Sequence, residues 1–354
     1  MTERIGRLRE VLEKEAVDAL FLDSPHNRRY LTGFTGSSGV VVVCGDAVYL
    51  ITDFRYYDQV EREAPHVELV RAKNLLDSLV SLIEERKELQ KIAFEADRLS
   101  VKTFRALEER LPGRTLVASS GWVDTLRAVK EPQEIAAIER AVEIADRAFE
   151  YILGRIKGRS EREIAFDLEF FMRREGAERL SFPPIVASGP NGALPHAVPS
   201  DRVVGEGDLV TLDFGCVAGG YCSDMTRTVA VGRADAKQRE IYELVRKAQV
   251  AGVEAVRAGR TGKEVDAVAR GIIEEAGYGE RFGHGLGHGV GLEIHEAPRL
   301  APTGEAALEP GMVTSVEPGV YVSGWGGVRI EDLVVVGEEG CRVLTRSPKD
   351  LIEV

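Results

Sequence analysis

Cysteine is scarce in this sequence, and its spacing excludes two common kinds of scaffold. Only four cysteines occur among 354 residues, namely Cys44, Cys216, Cys222 and Cys341. No two of them form a C-x-x-C pair, so the sequence predicts neither a zinc knuckle nor a disulfide framework. We expect all four thiols to be reduced.

Long apolar runs and an excess of positive charge are also absent. No stretch approaches the roughly 20 apolar residues that a membrane span needs, and the charged N-terminus has no signal-peptide core. The formal net charge is −12, whereas nucleic-acid binding needs clustered Lys and Arg. These absences predict a cytoplasmic protein that binds neither membranes nor nucleic acid.

What the chain does have is enough length and apolar content, 44%, for roughly two domains. Its first part alternates amphipathic stretches with strand-like runs at 19–22, 40–44, 48–51, 92–94 and 115–117, which is typical of an α/β domain. The pattern breaks between Arg127 and Pro132, and Pro132 suits the first turn of a helix. We therefore predict two domains, residues 1–127 and 128–354.

The second part combines capped helices with strands that carry acidic residues. Ser160 with Glu163 and Thr261 with Glu264 form capping boxes, and Gly277 is typical of a helix terminator. The pattern of apolar residues predicts four strands, at 209–214, 226–231, 313–317 and 328–336. Nearly all the carboxylates of chemical interest lie on these strands, so we expect the chemistry in the second domain.

Asp213 and Asp224 form the first acidic pair. If a hairpin turns about Ala218 and Gly219, the two aspartates face each other with Cβ atoms about 5 Å apart. Two such carboxylates repel unless a proton or a cation lies between them, and a hard divalent metal is the usual solution. Taken alone, the pair fits two solvated aspartates on an exposed hairpin equally well.

Glu317 and Glu331 form the second acidic pair, because Gly324 is equidistant from both. An odd-length loop centred there sets the two carboxylates opposite each other, and Pro318 keeps Glu317 in extended backbone. Arg329 lies on the same strand face as Glu331, where it can orient a ligand or bind an anion. For Arg329 alone, a surface ion pair is a reasonable alternative.

Histidine is rare too, and half of the six histidines fall within twelve residues. His284, His288 and His295 lie in or beside a glycine-rich segment, 283–291, and His196 follows an earlier loop. The glycine spacing is not G-x-G-x-x-G, which excludes a dinucleotide loop. A lone histidine is usually structural, but this cluster beside four acidic residues favours a functional site.

These motifs together resemble the pita-bread metallopeptidases, a family that includes prolidase, aminopeptidase P, methionine aminopeptidase and the metal-free creatinase. The resemblance rests on five segments in order: Asp-Phe-Gly at 213–215, Ser-Asp-Met-Thr-Arg-Thr at 223–228, Gly-His-Gly-Leu-Gly-His at 283–288, Val-Glu-Pro-Gly at 316–319 and Arg-Ile-Glu-Asp at 329–332. It implies an α/β (α+β) chain with a creatinase-like N-terminal domain and a pita-bread catalytic domain. The N-terminal domain points to the proline-specific branch.

The resemblance also implies the roles of the site residues. Asp213 would bind one metal, His288 and Glu317 the other, and Asp224 and Glu331 both. Two divalent ions per chain, manganese or cobalt with zinc possible, would activate water, and Glu317 would take its proton. As catalytic or substrate-binding groups, His196 and His295 would stabilise the oxyanion or orient the substrate, His284 would line the pocket, and Arg329 would hold Glu331.

The implied reaction is hydrolysis of Xaa-Pro dipeptides or short peptides. Xaa-Pro dipeptidase is the main expectation, with Arg299 as a candidate partner for the substrate carboxylate and a solvated loop arginine as its alternative reading. An Xaa-Pro aminopeptidase is the runner-up, followed by a metal hydrolase of a non-peptide substrate and an inactive binding module. The resemblance further implies a homodimer, in which residues 27–35 are either a lid over the partner's site or a structural turn.

Overall fold

The chain divides after Arg127 into two units, Met1–Arg127 and Ala128–Val354. The computed structural model describes residues 2–354. None of the helices in that range is both long and apolar enough to cross a membrane. All four cysteines are free thiols, as expected.

The first unit is built on one six-stranded sheet with helices between the strands. Its helices are α1 (Thr2–Lys14), α2 (Pro25–Thr32), a 3-10 turn (Phe54–Tyr56), α3 (Tyr57–Glu63), α4 (Leu75–Glu85), α5 (Val101–Arg110) and α6 (Trp122–Ala128). Its strands are β1 (Ala19–Leu22), β2 (Val40–Cys44), β3 (Val48–Thr52), β4 (Glu68–Arg71), β5 (Lys91–Glu95) and β6 (Thr115–Ser119). They lie in the order β4-β3-β2-β1-β5-β6.

All five strands predicted in this unit are present, and the α/β prediction is confirmed. The sixth strand, β4, was not predicted. Its residues are exposed or half-buried, whereas those of β2 and β3 are buried. An edge strand with so little apolar content gives no clear hydrophobic pattern.

The segment 27–35 is largely part of α2 and of the turn that follows it. The side chains of Arg28, Tyr30 and Phe34 are buried within the first unit. The Arg28 guanidinium donates hydrogen bonds to the carbonyls of Gly36 (2.7 Å) and Gly39 (2.8 Å). These contacts favour the reading of this segment as a structural turn that leads into β2.

The second unit has four long helices and several small sheets. The helices are α7 (Pro132–Leu153), α8 (Glu161–Arg174), α9 (Ala236–Ala255) and α10 (Gly262–Glu275), with 3-10 turns at Gly189–Ala193 and Gly279–Arg281. Pro132 lies in the first turn of α7, and both predicted capping boxes are present. Gly277, just after α10, has a φ of 81°, as a helix terminator requires.

The strands of the second unit form four sheets. They are β7 (Arg179–Leu180), β8 (Ile185–Ser188), β9 (Leu209–Phe214), β10 (Cys216–Ala218), β11 (Tyr221–Cys222), β12 (Met225–Ala230), β13 (Gly287–Gly289), β14 (Glu296–Leu300), β15 (Val313–Val316), β16 (Gly319–Val322), β17 (Gly326–Arg329), β18 (Asp332–Val336) and β19 (Cys341–Val343). The strand orders are β11-β10-β7, β12-β9-β8, β14-β13-β15-β18-β19 and β16-β17.

Two apolar clusters hold these sheets to the helices. One joins α7 and α8 to β9 and β12, and the other joins α9 and α10 to β15 through β18. Because the two clusters bury the apolar side chains of these strands, the polar centre of the unit lies at the strand ends, where the carboxylates are.

Candidate active site

Asp213 and Asp224 lie on a hairpin whose register differs from the prediction. β9 and β12 pair so that Asp213 faces Thr226, not Asp224. The turn is centred on Gly219 and Gly220, which have φ values of 59° and 83°. A two-residue hairpin turn of this kind needs positive φ at both central positions, which glycine tolerates and Ala218 does not. The resulting two-residue shift leaves each aspartate on its predicted face.

Glu317 and Glu331 have the predicted register. Gly319 pairs with Arg329 and Val316 with Asp332, so both ladders are centred on Gly324. The strand predicted at 328–336 is nevertheless two strands, β17 and β18. It breaks because the Glu331 amide donates to the carbonyl of Thr226 on β12 (3.1 Å), which draws Glu331 towards the aspartate hairpin.

The five predicted metal ligands meet at one place. One ligand atom from each of Asp224, His288 and Glu331 lies within 4.8 Å of the other two. His288 Nε2 is 3.6 Å from Asp224 Oδ2 and 3.3 Å from Glu317 Oε1. Asp213 faces Thr226, and the Thr226 hydroxyl donates to Glu331 Oε2 (2.7 Å).

Three carboxylate oxygens in this cluster are buried and have no hydrogen-bond donor within residues 2–354. They are Asp213 Oδ1, Asp224 Oδ1 and Glu331 Oε1. An unpaired buried carboxylate oxygen is costly, because it loses its hydration without gaining a partner. Divalent cations with oxygen and imidazole ligands would supply that partner, so these residues fit a metal centre.

The charges of the cluster lead to the same conclusion. Burial, followed by repulsion from neighbouring carboxylates, raises the pKa of Asp224 and of Glu331 well above the ordinary values. Burial also raises the pKa of Asp213. Nearby cations favour the ionised form, so bound metal ions would reverse these shifts.

Glu317 and His288 behave differently because they form a pair. Burial alone would raise the pKa of Glu317, but its hydrogen bond with His288 and the positive charges nearby lower it to about 2. Burial would likewise lower the pKa of His288, but Glu317 raises it. Glu317 is therefore ionised throughout the physiological pH range.

Arg329, which was predicted to hold Glu331, is buried and contacts Asp213 directly, and it reaches Glu331 through the hydroxyl of Thr226. Its Nη2 lies 2.5 Å from Asp213 Oδ2, and its Nε donates to Thr226 Oγ1 (3.1 Å). Its Nη1 donates to the hydroxyl of Tyr321 (2.8 Å) and to the carbonyl of Pro195 (3.3 Å).

Tyr321 is a site residue that the sequence analysis missed. Its hydroxyl joins Arg329 to His284, whose Nε2 lies 2.8 Å away. A Cβ at Gly319 or Gly327 would lie within 3 Å of the Tyr321 ring. Gly319 and Gly327 lie on the same strand face as Arg329, and two glycines there indicate that a large side chain covers that face.

His295 contacts His288, Arg299 lies opposite His288 on the neighbouring strand, and His196 is close enough to His295 to interact with it electrostatically. The ring of His295 is 4.4 Å from that of His288 and meets it edge to face. Burial, and then the positive charges of His288 and Arg299, lower the pKa of His295. Arg299 is exposed and directly opposite His288 in the β13–β14 ladder.

Two buried ion pairs lie next to site residues in sequence, and neither was predicted. Arg227 donates to Asp332 Oδ1 (2.7 Å) and also contacts the carbonyl of Glu331. Lys130 Nζ lies 3.1 Å from Glu296 Oε2, next to His295 in sequence. These pairs join segments far apart in sequence, so no local pattern reveals them.

Residues 136–338 match metallopeptidase family M24, and residues 4–129 match the Creatinase/Prolidase N-terminal domain. The chain belongs to metallopeptidase family M24. It is therefore a peptidase with a creatinase-type N-terminal domain and a pita-bread catalytic domain, and the family implies divalent metal ions.

Individual family members resemble this chain over its whole length. An Xaa-Pro dipeptidase from Bacillus anthracis is 47% identical, with a TM-score of 0.97 over 100% of this chain and 99% of that one. An Xaa-Pro dipeptidase of Pyrococcus furiosus is 39% identical over 99% of this chain and 100% of that protein. An X-Pro aminopeptidase from Thermotoga maritima is 38% identical, with a TM-score of 0.92 over 99% and 100% of the two chains.

Proposed function

We propose that this member of family M24 is an Xaa-Pro dipeptidase that uses two divalent cations per chain. The observation that carries the metal site is the set of three buried, unpaired carboxylate oxygens on Asp213, Asp224 and Glu331. The relatives in Bacillus anthracis and Pyrococcus furiosus are named Xaa-Pro dipeptidases, which supports the same activity here.

Five residues would hold the cations. Asp213 would bind one, His288 and Glu317 the other, and Asp224 and Glu331 both. The set is rich in oxygen and has one imidazole, which suits manganese or cobalt and also accommodates zinc. When bound, such ions supply a water acidic enough to react at neutral pH and polarise the scissile carbonyl.

The protein's own groups handle the proton and the developing charge. Ionised Glu317 accepts the proton of the attacking water and can return it to the proline nitrogen as the C–N bond breaks. The lowered pKa of His295 keeps its imidazole neutral, so that one ring N–H can donate to the carbonyl oxygen as negative charge develops there. We assign His196 to the same task.

Arg329 and His284 are better placed to orient other groups than to bind the substrate. The guanidinium of Arg329 is buried among Asp213, Thr226, Tyr321 and Pro195. Both ring nitrogens of His284 lie 2.8 Å from protein oxygens, on Gly285 and Tyr321. Arg329, supported through Tyr321 by His284, fixes Oδ2 of Asp213. The other oxygen, Oδ1, is then available to the proposed cation.

Arg299 supports the choice of a dipeptidase over an aminopeptidase. A dipeptide ends in a carboxylate just beyond the proline ring, and a cation is the matching partner. The guanidinium of Arg299 is exposed on the strand opposite His288 and forms no ion pair with a carboxylate within residues 2–354. A substrate carboxylate could therefore bind to it without displacing an internal partner.

The proposal is tested by metal analysis and turnover together. Protein loaded with manganese should contain two ions per chain and hydrolyse Xaa-Pro dipeptides faster than Xaa-Pro-Xaa tripeptides. Chelation should abolish both activities, and added manganese or cobalt should restore them. Activity without bound metal would refute the metal site, whereas faster tripeptide turnover would indicate the aminopeptidase.

We also propose a homodimer, which the family resemblance implies. Light scattering at micromolar concentration, combined with activity measurements across a dilution series, tests it. A monomer with undiminished activity would contradict this proposal.

A further inference from the structure

One buried carboxylate binds both ends of the loop that carries His196. We define the His196 loop as residues 189–199, between the end of β8 at Ser188 and the residue Ser200. Leu194, His196 and Val198 are all exposed on it. An exposed histidine has no local packing to fix its position, so the anchoring of the loop decides where the imidazole lies.

Glu161 provides that anchoring from the first turn of α8. Its Oε1 accepts hydrogen bonds from the amide and the hydroxyl of Ser188, both at 2.7 Å. Its Oε2 accepts from the amide (3.0 Å) and the hydroxyl (2.6 Å) of Ser200. Asn191 Nδ2 lies 3.1 and 3.0 Å from the two oxygens. One carboxylate thus binds the residues at both ends of the loop and one residue within it.

The charge on Glu161 is maintained although the side chain is fully buried. Burial alone would raise its pKa, but the hydrogen bonds from Ser200 and Ser188 lower it. A carboxylate that accepts several such bonds is stable in its ionised form. Neutral glutamine at this position would present an NH2 group to donors that need an acceptor.

The other side of the loop contacts β17, the strand that carries Arg329. The carbonyl of Pro195 accepts from Arg329 Nη1 (3.3 Å). Gly192 packs so closely on β17 that a Cβ there would lie 3.1 Å from the amide nitrogen of Gly327. The loop therefore connects Glu161 to the strand that carries Arg329. His196 directly follows Pro195, the residue that contacts Arg329.

We propose that Glu161 is a positioning residue for His196, acting on the proposed reaction only through the His196 loop. Glu161 contacts no proposed metal ligand. Its effect on turnover should therefore be much smaller when the imidazole of His196 is absent, and any remainder would pass through the Pro195–Arg329 contact. The inference rests on the proposed function in its kinetic test, but not in its spectroscopic test.

The kinetic test is a double-mutant cycle with Glu161→Gln, His196→Ala and the double variant. Glu161→Gln should lower kcat/KM for an Xaa-Pro dipeptide roughly 10- to 100-fold, as misplacement of a catalytic group does. In the His196→Ala background it should change kcat/KM less than about twofold. Multiplicative losses in the double variant would overturn the inference. A wild-type enzyme without turnover would instead refute the proposed function.

Glu163→Gln is the matched control, because Glu163 lies two residues away on the same helix and its carboxylate accepts hydrogen bonds only from Ser160 among residues 2–354. It should leave kcat/KM unchanged. If Glu161→Gln does not fold, Ser200→Ala replaces it in the cycle, since it removes one donor to Glu161 and keeps the backbone amide. The same non-additivity with His196→Ala is expected.

The spectroscopic test needs no turnover. The six histidines give ring Cε1–H NMR resonances in metal-free, diamagnetic protein, and His196→Ala identifies the one from His196. Glu161→Gln should shift or broaden that resonance while the His288 resonance stays in place. An unchanged His196 resonance in a folded Glu161→Gln protein would overturn the inference, whatever the activity.

Discussion

Arg329 holds one oxygen of Asp213 at 2.5 Å, and the other, Oδ1, is buried without a hydrogen-bond donor within residues 2–354. This bond fixes the orientation of the carboxylate, so the direction in which the free oxygen can bind a cation is also fixed. An oriented ligand loses less entropy on binding metal, which is why groups behind a ligand affect its affinity. We therefore expect Arg329 to influence metal affinity rather than substrate affinity.

Arg329→Lys should therefore weaken metal binding. Lysine keeps the charge but loses the planar set of donors that joins Asp213, Thr226 and Tyr321. We expect manganese affinity, measured by isothermal titration calorimetry, to fall roughly 10- to 100-fold. Arg246→Lys, on an exposed face of α9, should leave it unchanged. Unaltered affinity in Arg329→Lys, together with a raised KM, would restore a substrate-binding role.

Asp224→Asn should remove most activity and leave the fold intact. The amide keeps the shape of the side chain but loses the negative charge that would join two cations, so kcat should fall about 100-fold or more. The metal-free variant should unfold at or above the wild-type temperature at pH 8, because an unpaired buried charge has been removed. Thermal unfolding with and without manganese measures both effects, with Asp201→Asn as the exposed control. A metal-induced stabilisation as large as that of wild type would contradict the ligand assignment.

The raised pKa values of Asp224 and Glu331 predict how the stability of the metal-free protein depends on pH. A carboxyl group whose pKa is raised by folding binds protons more tightly in the folded state. Its contribution to stability therefore falls as the pH rises from its unfolded pKa, about 4, towards its folded pKa. Above pH about 5, metal-free wild type should lose stability more steeply than Asp224→Asn.

Bound metal should have the opposite dependence, because it replaces those protons. The increase in unfolding temperature caused by manganese should be larger at pH 8 than at pH 5.5. Differential scanning calorimetry of wild type and of Glu331→Gln across this range measures the effect. Parallel curves for the metal-free proteins would show that these two carboxyl groups do not titrate above their usual range.

The sequence alone predicts much of this site, because its residues lie on hairpins whose registers follow from short segments. The Glu317–Glu331 register was correct, since Gly324 is the natural centre of its loop. The Asp213–Asp224 register was wrong because the turn was placed at Ala218 rather than at the glycine pair that can adopt positive φ. A hairpin register depends on such single backbone preferences.

Contacts between separate elements could not be predicted in the same way. Arg329 and Asp213 lie on β17 and β9, 116 residues apart. Glu161 on α8 reaches the His196 loop, which begins 28 residues later, and Arg227 reaches Asp332. Each of these pairs depends on how the sheets and helices pack, which neither spacing nor alternation encodes.

Arg299 gives the sharpest test of substrate length. Its guanidinium lies across the β13–β14 ladder from His288 and forms no ion pair with another residue in 2–354. A dipeptide would place its carboxylate near this cation, whereas a tripeptide carries its carboxylate one residue further along. Arg299→Ala should therefore lower kcat/KM for an Xaa-Pro dipeptide about 10- to 100-fold, equivalent to roughly 1.4 to 2.7 kcal/mol of a charge-assisted hydrogen bond.

The Xaa-Pro-Xaa tripeptide is the internal control for this variant, because it uses the same metals and histidines. Its turnover should fall less than about threefold in Arg299→Ala. Arg299→Lys should recover part of the dipeptide activity, since an ammonium group retains the charge but not the two-pronged geometry of the guanidinium. If both substrates lose activity equally, Arg299 contributes to the reaction centre instead. If neither loses activity, Arg299 is a solvated strand residue, and the free carboxylate of a dipeptide must be recognised elsewhere or not at all.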